Sequence, residues 1–228
     1  MAEIDKRLIS AKEFVRQGAY FSDIGTDHAY LPIFLLKSGI IERAICSDIN
    51  EGPLAVAREN LIKEGLIDKV ELYISDGAKG ISHLEPTDIA IFGMGGELIA
   101  DIIENSIEFF KRRGTRVILQ PMSRQAHLRR YLASRGFSIV GESYSSSSGR
   151  YYLTLAAEYT GECMELSDFE AEFGRIQPRV KLSPEMRGYI KAKMKSLKRA
   201  RDGKLMGCED ASAEAELLRM AEEAFKDL

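Results

Sequence analysis

Four aspartates and five glycines decide what chemistry this chain could do. Asp23, Gly25, Thr26 and Asp27 stand in the string YFSDIGTDHAYLP, Asp48 falls 25 residues after Asp23, Asp76 precedes Gly77, and Gly93, Gly95 and Gly96 surround Met94. A dinucleotide site would show G-x-G-x-x-G after its first strand, because glycine lets the backbone approach a pyrophosphate. Here Thr26, Asp27 and His28 follow Gly25, so a pyrophosphate would meet a carboxylate. That disfavours an NAD-dependent oxidoreductase. It suits a ligand with a cationic centre and an amino group, a description that S-adenosylmethionine fits. On this reading Asp23, Gly25, Thr26 and His28 line the donor pocket, and Asp48 with Ile49 receives the ribose hydroxyls. Asp76 and Gly77 stand at the adenine edge, and Gly93, Met94, Gly95 and Gly96 offer backbone as a wall. Each acid alone has a plainer alternative as a helix cap. All four at successive strand ends are harder to dismiss.

Those strand ends come from an alternation of β-rich runs and helical patterns, the signature of an α/β fold with a mostly parallel sheet. Candidate strands are Ala19 to Ile24, Arg43 to Asp48, Val70 to Ile74, Asp88 to Phe92 and Arg116 to Gln120, followed by an antiparallel pair, Phe137 to Ser143 and Tyr151 to Glu158, joined by the polar loop SSSSGR. A first helix is expected from the spacing of Ile4, Leu8, Ala11 and Val15, another from Pro53 to Glu64, and a third buries Leu98, Ile102 and Ile103. After about Tyr159 only helical patterns remain. Met186, Ile190, Met194 and Leu197 form one stripe and Leu217, Ala221, Ala224 and Leu228 another, with DGKLMG as the turn of an antiparallel hairpin. The expected domains are therefore 1–159, a nucleotide-binding sheet, and 160–228, a helical or coiled-coil unit.

The 228 residues carry a net charge of only −3 with 45% hydrophobic content, which bounds a globular protein with a real core. The N-terminus lacks the basic and apolar regions of a leader, and no run is long and uncharged enough to span a bilayer, so cytoplasmic residence without membrane contact is expected. Three scattered cysteines predict neither disulfide nor obligatory metal. Charge is segregated within the tail: from Phe173 to Lys204 there are 11 Lys and Arg against 2 acids, and from Leu205 to Leu228 there are 2 against 7. Opposite charges could hold the hairpin together, or the basic helix could contact phosphates.

DIGTDHAYLP, GMGGELIA, LQP and the opening KRL of Lys6, Arg7 and Leu8 resemble the TrmK family of bacterial tRNA (adenine(22)-N(1))-methyltransferases over nearly the whole chain. The resemblance implies a Rossmann-like class I methyltransferase domain with a small C-terminal coiled-coil domain. It implies S-adenosyl-L-methionine as donor, S-adenosyl-L-homocysteine as product, and N1 of an adenosine in the D arm of tRNA as acceptor. Met122 stands where the family typically has Asn, and Phe92 where it has a small residue. These departures keep open another RNA base or a small molecule as acceptor. A non-catalytic RNA-binding protein on the same fold is the further alternative, and the intact acids argue against it.

Methyl transfer from a sulfonium needs alignment more than covalent help. Alkylated N1 makes the adenine cationic, so a carboxylate near N6 would stabilise the transition state and could accept the N6 proton. Asp27 is the first candidate, with a cap for the following helix as its alternative. His28 could line the donor pocket, touch the acceptor, or satisfy backbone groups. Tyr30 could stack on the target base or belong to the core. From Phe109 to Gly141 there is no acid, and Arg124, Arg129 and Arg130 follow the fifth strand on the side of the site, whereas Lys111 to Arg113 precede it. The first three, Arg7, and Arg187, Lys191, Lys195, Lys198 and Arg201 of the basic helix are the candidate tRNA contacts.

Overall fold

The protein is described from a computed structural model that covers residues 5–175 and 182–226. Helices are α1 Lys6–Ile9, α2 Tyr30–Lys37, α3 Glu51–Lys63, α4 Gly96–Glu104, α5 Ile107–Phe110, α6 Gln125–Ser134, α7 Asp168–Phe173, α8 Pro184–Met206 and α9 Ser212–Ala224. Strands are β1 Tyr20–Ile24, β2 Arg43–Asp48, β3 Val70–Ile74, β4 Asp88–Met94, β5 Arg116–Pro121, β6 Phe137–Ser147 and β7 Arg150–Tyr159. They form one sheet in the order β3-β2-β1-β4-β5-β7-β6, parallel through β5 and antiparallel for the last two. The order reverses between β1 and β4, and ligands of such sheets bind outside the carboxyl ends at that crossover.

Both sheet faces are covered, as near-continuous apolar strands require. Ile24, Ile45, Ile89, Ile91 and Leu119 pack with Ile99 and Ile103 of α4 and Leu128 and Leu132 of α6. Phe21, Cys46, Ala90 and Ile118 pack on the other face with Leu31 and Leu35 of α2 and Ala57 and Leu61 of α3. At the amino ends of the strands Arg16 holds buried Asp88 through three bonds, two from its guanidinium and one from its main-chain N, and also donates to the carbonyls of Thr87 and Gly114. Arg112 donates to Pro86 O on this same side, opposite the carboxyl ends.

Several expected boundaries shift for local reasons. The initial helix is one α-turn, capped by Asp5 and followed by a 3-10 turn over Ser10–Glu13; Ala11 and Val15 are buried, and Ile4 lies outside the described residues. In α4 Ile103 is buried and Ile102 packs half-buried on the core as expected, but Leu98 is 52% exposed and Ile99 is buried in its place, with Gly96 and Ala100. Three serines of the expected loop, Ser145 to Ser147, are strand, and Ser145 lies with Ser143 on a buried face. The hairpin closes through Ser148 and Gly149, both left-handed, the geometry of a two-residue turn that matches strand twist.

The tail adds α7, opened by a reciprocal cap between Ser167 and Glu170. DGKLMG is not the turn: α8 continues to Met206, and Gly207 ends it. Phe173, Ile190, Leu217, Ala221 and Phe225 form the apolar centre, with Met186, Met194 and Leu197 beside them. Ala224 is exposed and Phe225 takes its expected place, while Leu228 lies outside the described residues. The first part of α8 packs on the sheet: Tyr189 is buried in the main core 5.0 Å from Tyr144, and Gly188 presses on Tyr151, whose ring a Cβ would meet at 2.1 Å.

Candidate active site

After β1 the chain turns sharply. Gly25 adopts φ 76°, and the amides of Gly25 and Thr26 both donate to Ser47 O of β2, at 2.8 and 3.0 Å. Thr26 Oγ1 donates back to Asp23 Oδ2 at 2.7 Å. Asp23 is buried between β2 and β4, and burial first, then the Asp48 and Asp27 carboxylates, raise its pKa to about 7 against the lowering effect of the Thr26 bond. Three of the four acids therefore share one electrostatic neighbourhood.

Asp27 and Ala29 both hold left-handed φ values, 52° and 58°, which are costly for residues with a Cβ. Ala29 occupies the position before α2 and no side chain caps that helix, so Asp27 is not a cap. Its side chain is 72% exposed, with His28 Nδ1 3.0 Å from Oδ2. The His28 ring thus lies against a carboxylate, while its own carbonyl accepts from Asn60 Nδ2 of α3 at 3.0 Å. Tyr30 is exposed, not core, and its ring lies 5.4 Å from that of His28. The turn presents a carboxylate, an imidazole and a phenol ring side by side.

The other candidate donor residues lie at the neighbouring strand ends. Asp48 Oδ1 accepts from Asn50 N at 2.9 Å, Ile49 is exposed, and exposed Asp76 pairs with Lys79 at 2.6 Å. Gly77 packs on Ile102, and Gly93, at φ 78°, marks the bulge that shifts the β4–β5 register. Met94 folds back over Gly25, where a Cβ would lie 2.1 Å from its Cε. Gly96 N donates to Ser123 O and Met122 N to Met94 O, lacing the ends of β4 and β5 together. The glycines leave a cradle walled by backbone, and the acids supply acceptors. This donor set fits a ligand with an ammonium, a second cationic centre and ribose hydroxyls. Among the described residues no cluster of His, Cys, Asp and Glu is arranged to hold a metal ion.

The basic candidates divide. Arg7 lies inside the site: its Nη1 donates to Gln120 Oε1 at 3.3 Å and lies 3.8 Å from Met122 Sδ, and Gln120 Nε2 returns a bond to Arg7 O at 3.0 Å. Gln120 is a site residue the sequence reading passed over, although a buried amide at the end of an apolar strand was its signal. Arg124 and Arg130 are exposed, paired with Glu97 and Asp168. Arg129 overturns its expected role as a phosphate contact: it is 1% exposed, forked onto Glu142, and out of reach of any nucleic acid. Burial opposes its charge, but the Glu142 carboxylate prevails and raises its pKa. On α8, Lys191, Lys195 and Lys198 are exposed and carry no ion pair among the described residues, whereas Arg201 pairs with Asp202 and Arg187 donates to Leu182 O. A single α8–α9 ion pair appears among the described residues, Lys204 with Glu214. Charge attraction along the hairpin therefore does not account for the basic face.

Residues 4–155 match a family described as a methyltransferase domain. The chain is 34% identical over 156 residues to the tRNA (adenine(22)-N(1))-methyltransferase of Bacillus subtilis, an alignment covering 68% of this chain and 65% of that protein. It thus spans just under two thirds of that relative's length. Over whole folds the similarity extends further. The crystal structure of a candidate tRNA (m1A22) methyltransferase of Streptococcus pneumoniae, in complex with S-adenosyl-L-methionine, superposes with a TM-score of 0.82 at 32% identity, covering 96% of this chain and 99% of that one. The B. subtilis m1A22 tRNA methyltransferase TrmK superposes with a TM-score of 0.73 at 25% identity over 99% and 97%.

Proposed function

Because the chain belongs to the TrmK family of methyltransferase-domain proteins, we propose that it transfers a methyl group from S-adenosyl-L-methionine to N1 of adenosine 22 in the D arm of tRNA. The observation that carries this reading is Asp27, strained, exposed and capping nothing, beside the cradle of acids and glycines at the β1–β4 crossover. The donor, when bound, supplies an electrophilic methyl on a sulfonium. Asp48 accepts from the ribose hydroxyls, Asp23 compensates the donor's ammonium, and Asp76 with Gly77 borders the adenine. The turn at Gly25 and the backbone of Gly93 to Gly96 exclude water without adding side-chain bulk.

The protein's catalytic work is alignment and charge compensation. Tyr30 offers an exposed ring for the target base to stack on, as an extracted base requires. As the N1 lone pair forms its bond to the methyl carbon, the carbon–sulfur bond would break with its electron pair returning to sulfur to leave S-adenosylhomocysteine. Positive charge would spread into the purine, and the Asp27 carboxylate would stabilise it and accept the N6 proton. His28 lies beside Asp27 at the rim of the same space. Arg7 lies by Gly93 and Gln120, where the phosphate of the target nucleotide would approach.

Residues 160–228 serve as the recognition unit and 1–159 as the catalytic one. Lys191, Lys195 and Lys198, spaced along one face of α8, together with Arg124 and Arg130, meet tRNA phosphates. No helix among the described residues is long and apolar enough to cross a membrane, and a tRNA substrate places the work in the cytoplasm.

The test is methyl transfer from labelled donor to an unmodified tRNA transcript, mapped by the reverse-transcription stop that N1-methylation creates. A stop at adenosine 22, abolished by changing that nucleotide, supports the proposal. A stop elsewhere would reassign the acceptor, and none at all despite donor binding would leave only the fold.

A further inference from the structure

Arg129 has no route to a phosphate, yet it is the largest fully buried side chain of the described residues and spends its donors on two elements, β6 and α7. Nε and Nη2 reach the Glu142 carboxylate of β6 at 2.6 and 3.2 Å. Nη1 donates to Ala171 O and Glu172 O, at 2.9 and 3.2 Å, in the last turn of α7. A second polar chain closes the loop: Lys193 of α8 pairs with Glu172 at 2.7 Å and lies 3.3 Å from Gln125 Oε1, and Gln125 Nε2 donates to Pro121 O at the end of β5, also at 3.3 Å. Directional bonds thus run from the lip of the active site through α6 to the base of the helical tail.

We infer that Arg129 is a positioning residue that sets the angle between the tail and the catalytic sheet, and so the distance at which a bound tRNA offers its base. The inference rests on the tRNA reading above. Buried ion pairs contribute little net stability, and their best-attested use is to specify one arrangement among several. The packing here leaves that use open, since the hydroxyls of Ser143 and Ser145 on β6 are buried without hydrogen-bond partners. Leverage makes the angle matter. Helix α8, with 23 residues, is about 34 Å long, and a tilt of about 10° at its base moves the far end by about 6 Å. Misplacement of a reacting group by about 1 Å already costs about 100-fold in rate.

Native cysteines make the angle measurable. Cys163 and Cys208 are exposed and Cys46 is buried; Cys163 adjoins Met164, whose amide is held by Ala133 O of α6, and Cys208 lies in the turn between α8 and α9. Spin labels on these two sites report the tail angle as a distance distribution in the full chain. In Arg129→Met combined with Glu142→Gln, which leaves no unpaired buried charge and keeps an acceptor for Tyr144, the distribution should broaden at least two-fold. S-adenosylhomocysteine affinity should stay within three-fold and kcat for tRNA methylation should fall at least ten-fold. Arg129→Lys, retaining one arm of the fork, should recover part of both. A distribution as narrow as wild type in both variants, or a broadened one with unchanged kcat, overturns the inference. If the wild-type protein methylates no tRNA, the functional reading fails while the distance measurement still decides the role of Arg129.

Discussion

At the scale of single residues, the site separates a carboxylate that must stay charged from one that need not. Exposed Asp27 is the group we propose to meet the acceptor, and Asp27→Asn should lower kcat by about 100-fold or more, within the range for loss of a transition-state electrostatic contact, with product affinity within a few-fold by calorimetry. Turnover at the wild-type level would remove Asp27 from the mechanism. Buried Asp23 behaves differently, its pKa raised from 3.8 to about 7 chiefly by burial. Between those values the folded chain keeps a proton that the unfolded chain has released, so this group's contribution to stability is full below pH 3.8, declines as pH rises, and is gone above about 7. Asp23→Asn should flatten that slope and gain stability on the order of 4 kcal/mol at most above neutrality; parallel urea-unfolding slopes for both proteins across the window would contradict this. An ammonium beside Asp23 favours its ionised form, so donor affinity should tighten as pH rises towards 7 in the wild type and stay flat in Asp23→Asn. These acids were legible in the sequence because a strand end followed by Asp and Gly is a local pattern. Arg129 was not, because its burial is decided by Glu142, on a different element.

At the scale of elements, the glycines of GMGG are not equivalent. A Cβ on Gly96 would lie 2.5 Å from Arg124 O and 2.9 Å from Ser123 O, both backbone, whereas one on Gly95 would meet only Ser123 Oγ at 3.2 Å, which can rotate. Gly96→Ala should separate the first turn of α4 from the β5 loop, costing about 1–3 kcal/mol in urea unfolding and weakening donor binding; Gly95→Ala should do much less, and equal losses would refute the distinction. Strand positions were readable because parallel strands buried on both faces are continuous apolar runs. The phase of α4 was not: Leu98, Ile99, Ile102 and Ile103 offer two overlapping stripes, and only the β5 loop on Gly96 selects between them. Gly203 suggested a turn that packing overrode, while α7, six residues long, is too short for periodicity to reveal.

For the whole molecule, the tail is integral to the sheet's own core, because Tyr189 completes the main apolar cluster. Deleting everything after Tyr159 should lower Tm sharply or abolish solubility, so truncation is a poor assay of recognition. Reversing Lys191, Lys195 and Lys198 to Glu leaves the core untouched. It should weaken tRNA binding at least ten-fold and reduce the salt slope by roughly 2 to 3, at somewhat under one per lost phosphate contact, with donor affinity unchanged. An unaltered slope would move the footprint away from α8. Composition could reveal that the tail was basic on one helix and acidic on the other; which lysines face outward depended on how α8 docks against β6 and β7.

The left-handed backbone at Asp27 has a consequence for directed evolution. Glycine, or to a lesser degree asparagine, would sit at φ 52° with less strain, and a residue this exposed surrenders little packing when exchanged. A library sorted for heat resistance alone should therefore enrich Asp27→Gly, and one sorted for methylated tRNA should discard it. Thermal selection and turnover would pull this position in opposite directions, and the divergence of the two populations would identify the acid without any ligand bound.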